Sequence, residues 1–305
     1  MIKANCLTKI SILFLFLTYS LLAAIPVDFA LLKMVYPRKT IKSVQVNAST
    51  TIFNNENPEN NLTFDETILI KDFKDFLTSV TINKNSEKNV NFSRIVKFNF
   101  SEEEYFVEGS YLTLKIKHPV SPMLHLLFSK ENNYLKQLLV ESKIDIEIIG
   151  LGRLYGEVNR IFGAKEQNTY RKDSPPILAE DKNELLEEHS QYKKIKPQIW
   201  MAKDTFYLTR YITKTEASNN LLVNDIHFKN YALFDSSQMF PRNIEIYRNG
   251  RLYCTTAITE IKINPLIKKS IFELNSKFKK RTFSKMVESF SPEAQAVVDF
   301  IQLYR

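Results

Sequence analysis

Glycine is scarce in this sequence: six of its 305 residues are glycine, at positions 109, 150, 152, 156, 163 and 250. No arrangement of them gives the G-x-G-x-x-G loop of dinucleotide-binding proteins or the G-x-x-x-x-G-K-[ST] loop that cradles phosphates. Nucleotide-binding functions of the common kinds are therefore not expected. With 25% charged and 44% hydrophobic residues, the composition is that of a folded globular protein.

Histidine and cysteine are also scarce, with four and two residues. His118, His125, His189 and His227 have no H-x-H, H-E-x-x-H or C-x-x-C partner, so no metal site is predicted. Each histidine is interpreted as a surface or edge residue. Cys254 lies in an alternating run with no histidine nearby in sequence, and it is interpreted as a buried strand thiol rather than a nucleophile.

Signatures of hydrolytic enzymes are missing as well. There is no G-x-S-x-G nucleophile elbow. The acidic clusters Glu102–Glu104 and Glu184–Glu188 lie in predicted connecting segments, where solvation explains them. The chain is therefore predicted not to be an enzyme and to need no cofactor; an exported enzyme with a non-local active site is the weaker alternative.

The first residues have the layout of a secretory signal peptide. Lys3 and Lys9 precede a largely apolar stretch from Ile10 to Leu22, which is shorter than the ~20 residues that a spanning helix needs. We predict a signal peptide over 1–24 and a periplasmic location, with an uncleaved inner-membrane anchor as the alternative. Its removal leaves 40 basic and 34 acidic residues, a net charge of +6 instead of +8. It also removes Cys6, so Cys254 has no disulfide partner.

The mature chain is predicted to be mostly β-structure, interrupted by helices. An amphipathic helix over 27–36 opens the chain, one or two helices occupy 122–141, and a capped helix lies within 283–305. The predicted strands form an antiparallel meander because no connection between the early strands is long enough for a crossover helix. They cover residues 41–52, 77–82, 94–100, 111–117, 144–149, 158–164, 197–202, 206–212, 221–234, 243–247 and 252–263.

Turn chemistry predicts two hairpins in the second half of the chain. Lys203-Asp204-Thr205 separates two strands, and so does Asn249-Gly250, a dipeptide that tolerates positive φ. The segment 166–196 is polar, contains Pro175-Pro176, and is interpreted as a solvated insertion.

Three phrases of the second half stand out: Pro197-Gln198-Ile199-Trp200-Met201-Ala202-Lys203-Asp204-Thr205-Phe206, then Phe240-Pro241-Arg242-Asn243-Ile244-Glu245-Ile246-Tyr247-Arg248-Asn249-Gly250, and then Ile261-Lys262-Ile263-Asn264-Pro265 followed by Ser270-Ile271-Phe272. In this order they resemble the outer-membrane lipoprotein-sorting proteins, the LolA-like periplasmic lipoprotein carriers. In that family a strand of the form P-x-x-W-I-D-x-x-T precedes one of the form P-x-x-I-x-I-Y-x-x-G, and a final strand ends I-x-x-N-x-x-[ILV]-x-x-x-x-F. Ala202 departs from the pattern, since an acid is usual there, and the insertion is a further departure. The match covers Leu154 to Phe272, and the fitting residues are Trp200, Thr205, Phe206, Pro241, Ile244, Gly250, Asn264 and Phe272.

The resemblance implies a fold and a binding function. The implied fold class is α+β and mostly β: a strongly curved antiparallel sheet, or half-barrel, over 25–282, with helices closing the concave side. The implied function is to hold the acyl chains of a lipid or lipoprotein in an apolar groove, in outer-membrane lipoprotein sorting. Moving a methylene group from water into an apolar groove is favourable by roughly 0.8 kcal/mol. Acyl chains that arrive from a membrane leave one apolar environment for another, so their free energy of transfer is close to zero, which permits release. The candidate groove residues are Met123, Leu124, Leu127 and Phe128 on a helical lid, with Trp200 and Phe206 on the sheet.

The basic residues near the end of the sequence have two interpretations. The basic stretch that includes Lys277, Lys279, Lys280 and Arg281 is either a contact for an envelope membrane surface or acidic protein partner, or a solvated face. No nucleic-acid partner is predicted.

The alternative to the carrier is a cell-envelope scaffold or sensor module that binds a protein partner without lipid cargo, its groove filled by its own side chains. An open apolar cavity favours the carrier, and a filled core favours the module.

Overall fold

The computed structural model describes residues 25–54, 58–82, 90–97, 102–107, 110–115, 121–165, 195–217, 220–234, 238–273, 277–282 and 292–305. The predicted signal peptide lies outside these residues, as do residues 166–194 of the predicted insertion. His118, His189 and Glu184–Glu188 also lie outside them.

The described residues form four α-helices and fourteen strands. The helices are α1 (Val27–Val35), α2 (Pro122–Phe128), α3 (Asn132–Glu141) and α4 (Pro292–Tyr304). The strands of the first half are β1 (Ser43–Ile52), β2 (Leu62–Lys71), β3 (Asp75–Ile82), β4 (Val90–Lys97), β5 (Glu102–Val107) and β6 (Ser110–Lys115). Those of the second half are β7 (Ile149–Leu154), β8 (Glu157–Phe162), β9 (Gln198–Ala202), β10 (Leu208–Ala217), β11 (Asn220–Phe234), β12 (Gln238–Arg248), β13 (Arg251–Ile263) and β14 (Lys279–Lys280).

The predicted fold class, α+β and mostly β with a curved antiparallel sheet, is confirmed. The chain divides into two compact units. The small unit takes its described residues from Met1–Val35 and Glu131–Leu221, and the large unit takes them from Tyr36–Lys130 and Leu222–Arg305.

In the small unit, four antiparallel strands lie in the order β10-β9-β8-β7. Helices α1 and α3 pack against each other, and an ion pair of 2.8 Å joins Lys136 of α3 to Asp28 of α1. The hydroxyl of Tyr211 on β10 donates to Ser142 Oγ, just after α3, at 2.9 Å. Helix α3 therefore lies on the side of this sheet to which Tyr211 points.

In the large unit, the strand order is β14-β6-β5-β4-β3-β2-β1-β13-β12-β11. All neighbours are antiparallel except β14, whose two residues pair in parallel with β6. One face of the sheet carries α2 and α4, and we call it the helix face. The opposite face has its own apolar cluster, which includes Leu77, Ile95, Phe106, Ile267 and Phe272. This cluster covers only part of the opposite face, because Ser49, Thr51, Thr63 and Asp65 of β1 and β2 lie on that face and are half-buried or exposed.

Local sequence explains where the two helices of the large unit begin. Ser121 caps α2 by accepting a hydrogen bond from the Met123 backbone at 3.3 Å, and Pro122 occupies the first helical position. Pro292 opens α4, with Glu293 in its first turn. The remaining six residues of α2 are all buried, as expected for a helix that is apolar on every side.

Three elements differ from the sequence predictions. Strand β2 was not predicted, and the predicted strand over 144–149 is largely a turn, because Asp145 accepts hydrogen bonds through its carbonyl and its side chain. Only Ile149 of that segment belongs to a strand, β7. The Glu102–Glu104 cluster is part of β5 rather than a connecting segment. No helix among the described residues is long and apolar enough to cross a membrane.

Candidate functional site

The helix face of the large unit holds the four predicted lid residues, all on α2. Met123, Leu124, Leu127 and Phe128 are each at most 2% exposed. The Phe128 ring lies 5.3 Å, centroid to centroid, from Phe240 of β12. These four side chains are therefore packed against the large unit.

Arg38 ties the backbone of α2 to the rest of the large unit. Its Nη1 donates to the carbonyl oxygens of Leu126 at 2.7 Å and Ser129 at 3.4 Å. Burial lowers the pKa of this guanidinium to about 10, while Tyr231 acts in the opposite direction. Arg38 thus satisfies carbonyl groups at the end of α2 that the helix itself leaves without donors.

His125 corrects the interpretation of every histidine as a surface or edge residue. It lies on α2, is 4% exposed, and meets Phe76 of β3 edge to face, with ring centroids 5.2 Å apart. Burial lowers its pKa to about 4, so the imidazole is neutral at pH 7. The sequence signal for burial was available, since His125 lies within the apolar run of α2.

Helix α4 covers the same face with both apolar and charged side chains. Val297, Phe300 and Ile301 are fully buried, and Phe300 meets Phe64 of β2 edge to face at 5.5 Å. Beyond them, the Arg305 guanidinium donates to both carboxylate oxygens of Glu66 at 2.6 Å. This pair is bidentate and almost fully buried, the geometry in which an arginine–carboxylate pair is strongest.

Two threonines complete the surroundings of the Glu66–Arg305 pair. The Thr50 hydroxyl donates to Glu66 Oε1, and Arg305 Nη2 donates to the Thr256 hydroxyl at 3.0 Å. Thr50 lies on β1, which is next to β2, and Thr256 lies on β13, on the other side of β1; both threonines are buried. The polar groups at the centre of the helix face are therefore satisfied by one another.

A second buried pair corrects the expectation that Glu102–Glu104 is solvated. Glu103 is 2% exposed and accepts from Arg94 of β4 at 2.6 to 2.7 Å. Arg94 also donates to the Ile301 carbonyl of α4 at 3.4 Å. Because an arginine on the neighbouring strand neutralises it, this acid is stable in the interior.

The last turn of α4 makes a third polar contact with the sheet. The Tyr304 hydroxyl donates to Asn224 Oδ1 at 2.6 Å and accepts from Arg248 Nε at 2.8 Å. Burial raises the pKa of the Tyr304 hydroxyl, against the opposing effect of Arg248. Cys254, near the same end of the helix face, is a buried thiol on β13 as predicted, and burial raises its pKa to about 12.

The other two predicted groove residues lie in the small unit, and the structure does not bring them together. Trp200 on β9 is fully buried with Leu154, Ile161 and Ala164, and its indole N–H donates to Gln198 at 2.9 Å. Phe206 lies in the connection between β9 and β10 at φ 59° and is half-buried. Its ring packs near Arg160 of β8, which lies on the face opposite to Ile161 and Trp200.

Sequence reasoning missed the charged residues of the helix face, Arg38, Glu66, Arg94, Glu103 and Arg305. One signal was available for Arg305, which follows Ile301 at the i+4 spacing of the buried side of α4. Nothing in the sequence pairs Glu66 with a residue 239 positions later.

The predicted basic contact residues are exposed. Lys279 and Lys280 form β14 at the edge of the large unit's sheet, and the Arg281 amide donates to the Tyr111 carbonyl at 2.9 Å. Lys277 precedes this strand and is exposed as well. The described residues hold no group of three or more His, Cys, Asp or Glu side chains placed to bind a metal ion.

Comparisons with known proteins return matches only among solved structures. No family model matches this sequence, and a search of the curated proteins returns no match. Solved structures do match, among them an outer membrane lipoprotein-sorting protein domain from Vibrio parahaemolyticus at 10% identity and TM-score 0.48, covering 82% of this chain and 97% of that one. A LolA superfamily protein from Nitrosomonas europaea matches at 12% identity and TM-score 0.48, covering 81% and 97%. A DUF1329 family protein from Desulfovibrio piger matches at 13% identity and TM-score 0.49, covering 83% and 100%. The family that the second half of the sequence resembles is thus among the structural matches.

Proposed function

We propose that this protein is an exported, periplasmic binding protein that holds acyl chains of a lipid or lipoprotein against the helix face of the large unit. The observation that carries the proposal is the construction of that face. The short helix α2, whose last six residues are all buried, lies on the apolar face of the sheet, and Arg38 binds its backbone. The cargo class follows from the resemblance of Leu154–Phe272 to lipoprotein carriers.

The four α2 residues Met123, Leu124, Leu127 and Phe128 would line the chain-binding surface. An acyl chain offers them the same kind of contact that they make with the sheet, so exchange between the two is close to balanced in free energy. A loose fit of this kind suits a carrier, because cargo that is bound too tightly is not released.

Uptake of a fluorescent fatty acid by delipidated protein tests this proposal. We expect saturable binding by the wild type and about tenfold weaker binding by Phe128→Ala, which loses a large apolar contact area. Leu266→Ala is the matched control, since Leu266 is 95% exposed and should not change the affinity. Absence of saturable uptake by the folded wild type would contradict the proposal.

A second candidate, an envelope scaffold or sensor module without lipid cargo, is favoured by one specific observation. Helix α4 fills part of the helix face with the chain's own side chains and pairs Arg305 with Glu66. A face that is permanently occupied in this way needs no ligand. The fatty-acid titration distinguishes the carrier from the module. A module takes up no fatty acid, and in a module Phe128→Ala lowers only the stability of the folded chain.

We also propose that Lys277, Lys279, Lys280 and Arg281 contact an anionic membrane surface or an acidic partner. Four exposed cations close together in sequence, three of them at or next to a sheet edge, support this contact. Each basic residue near an anionic bilayer contributes about 1 kcal/mol.

A further inference from the structure

Arg160 in the small unit is a buried cation without a hydrogen-bonding partner at one of its nitrogens. The residue is 5% exposed, and its Nη1 has no acceptor among the described residues. Burying a charged hydrogen-bond donor without an acceptor lowers the stability of the folded protein, and native structures rarely retain such a donor without a reason. Burial lowers the pKa of this guanidinium, and the nearby Asp204 carboxylate raises it.

One aromatic ring, that of Phe206, covers the guanidinium. Its Cζ lies 4.8 Å from the centroid of the Phe206 ring, and that ring meets Phe29 of α1 edge to face at 6.0 Å. Phe206 has a positive φ of 59°, which is strained for a residue with a bulky side chain. The observed position of this ring is therefore maintained by its contacts rather than by backbone preference.

Exposed apolar side chains flank the same place. Leu151 pairs directly with Arg160 across β7 and β8, so both point to one face of the sheet, and Leu151 is 43% exposed. Phe29 and Leu32, one turn apart on α1, are 42% and 40% exposed. Lys33 Nζ lies 5.2 Å from the Phe29 ring centroid and adds a second cation.

We infer that Arg160 binds the carboxylate of a fatty acid, whose chain lies over Phe29, Leu32 and Leu151. The inference rests on the proposed function in taking the ligand to be an acyl chain, and it assigns an acyl site to the small unit in addition to the α2 surface of the large unit. A carboxylate is planar and supplies the acceptor that Nη1 lacks. The ligand displaces the Phe206 ring, which covers the guanidinium in the structure.

Equilibrium dialysis of the delipidated full chain at pH 8, with dodecanoate and its methyl ester as probes, tests the inference. The two probes share a chain and differ in the charge of the head group. We expect dodecanoate to bind at least about tenfold more tightly than the ester, which is the gain in affinity that one charge-assisted hydrogen bond gives. The variant Arg160→Gln should bind dodecanoate about tenfold more weakly and leave ester binding unchanged.

The matched control is Arg242→Gln. Arg242 also stacks on a phenylalanine, with its Cζ 5.6 Å from the Phe234 ring centroid, but it is exposed. It should bind both probes as the wild type does. Carbon-13 NMR of carboxyl-labelled dodecanoate gives a second readout, because the carboxyl resonance should shift on binding to the wild type and not to Arg160→Gln.

The outcomes separate this inference from the function on which it rests. Equal affinity of the wild type for acid and ester would overturn the Arg160 assignment and leave acyl-chain binding intact. Displacement of dodecanoate by equimolar acetate or inorganic phosphate would also overturn it, since the site would then bind free anions. Failure to bind either probe would contradict the proposed function itself. The comparison between acid and ester in the wild type needs no variant, so the test holds even where Arg160→Gln folds poorly.

Discussion

Arg305 and Arg94 of the large unit differ from Arg160 of the small unit in how their charges are paired. In the large unit, Arg305 and Arg94 each meet a buried carboxylate at about 2.6 Å, on Glu66 and Glu103. In the small unit, Arg160 is equally buried, yet one of its nitrogens has no acceptor among the described residues. A paired charge stabilises the folded chain by its own contacts, whereas an incompletely paired charge is available to a ligand. The difference indicates a structural role for Arg305 and Arg94 and supports the proposed binding role of Arg160.

The largest expected effect comes from breaking a paired site. Glu66→Gln leaves the Arg305 charge buried without a counter-charge, which typically costs about 3 to 5 kcal/mol. Urea denaturation should detect a loss of this size in the free energy of unfolding. Glu260→Gln is the control: its ion pair with Lys262 is about half exposed, so its loss should cost at most about 1 kcal/mol.

Replacing both Glu66 and Arg305 tests whether the loss in the single variant comes from the unpaired charge. Glu66→Leu combined with Arg305→Met removes both charges and should cost less than Glu66→Gln alone, because no charge is left without a partner. A double variant that is less stable than the single one would show that the pair itself, and not charge balance, stabilises this face.

The next effect depends on pH and concerns the neutral His125. Its pKa is about 4 in the folded chain and about 6.5 when exposed, so the unfolded chain binds the additional proton between these values. Stability that is full above pH 6.5 should therefore fall toward pH 4, by up to about 3 kcal/mol from this residue.

His125→Leu isolates that contribution. Its unfolding free energy should decline less than that of the wild type over the same pH range, and the difference should grow as the pH falls. Parallel pH profiles of the two proteins, measured by urea denaturation, would contradict the burial of a neutral imidazole against Phe76.

A smaller effect is expected at the scarce glycines of the small unit. A Cβ at Gly150 would lie 2.3 Å from the Lys165 carbonyl oxygen, so Gly150→Ala should cost about 1 to 3 kcal/mol. Gly156 has φ +82° but open space around it, and Gly156→Asn should change stability by less than about 0.5 kcal/mol because asparagine adopts this conformation. Thermal unfolding of the two variants compares close packing with backbone conformation; equal losses would rule out the packing explanation.

The smallest effect on stability is expected at the basic residues of the large unit. Changing Lys277, Lys279, Lys280 and Arg281 together to Gln should leave the free energy of unfolding nearly unchanged, since all four are exposed. Co-sedimentation with anionic liposomes should nevertheless decrease. Unchanged association with the liposomes would identify the segment as a solvated face.

Much of the fold could be predicted from local sequence. The Asn249-Gly250 turn joins β12 to β13 with positive φ at both residues, and Pro292 opens α4. Strand β2 escaped prediction because Glu66 interrupts its apolar face, and that charge is tolerated only through Arg305. Burial of Glu103 likewise depends on Arg94 of another strand.

The candidate site was less predictable than the fold. The α2 residues were identified because helical periodicity marks them, but periodicity does not say what covers the sheet. The partners of Glu66 and the isolation of Arg160 follow from tertiary contacts. The periodicity of a sequence predicts the face to which a side chain points. The residue that this side chain contacts depends on the tertiary structure of the whole chain.

Mass spectrometry of organic extracts from the purified protein tests acyl-chain binding most directly. Acyl lipids or fatty acids are expected near one equivalent per chain, in a smaller amount from Phe128→Ala and in an unchanged amount from Leu266→Ala. Extracts of the folded wild type that contain no acyl species above those of an unrelated protein purified in parallel would contradict acyl-chain binding.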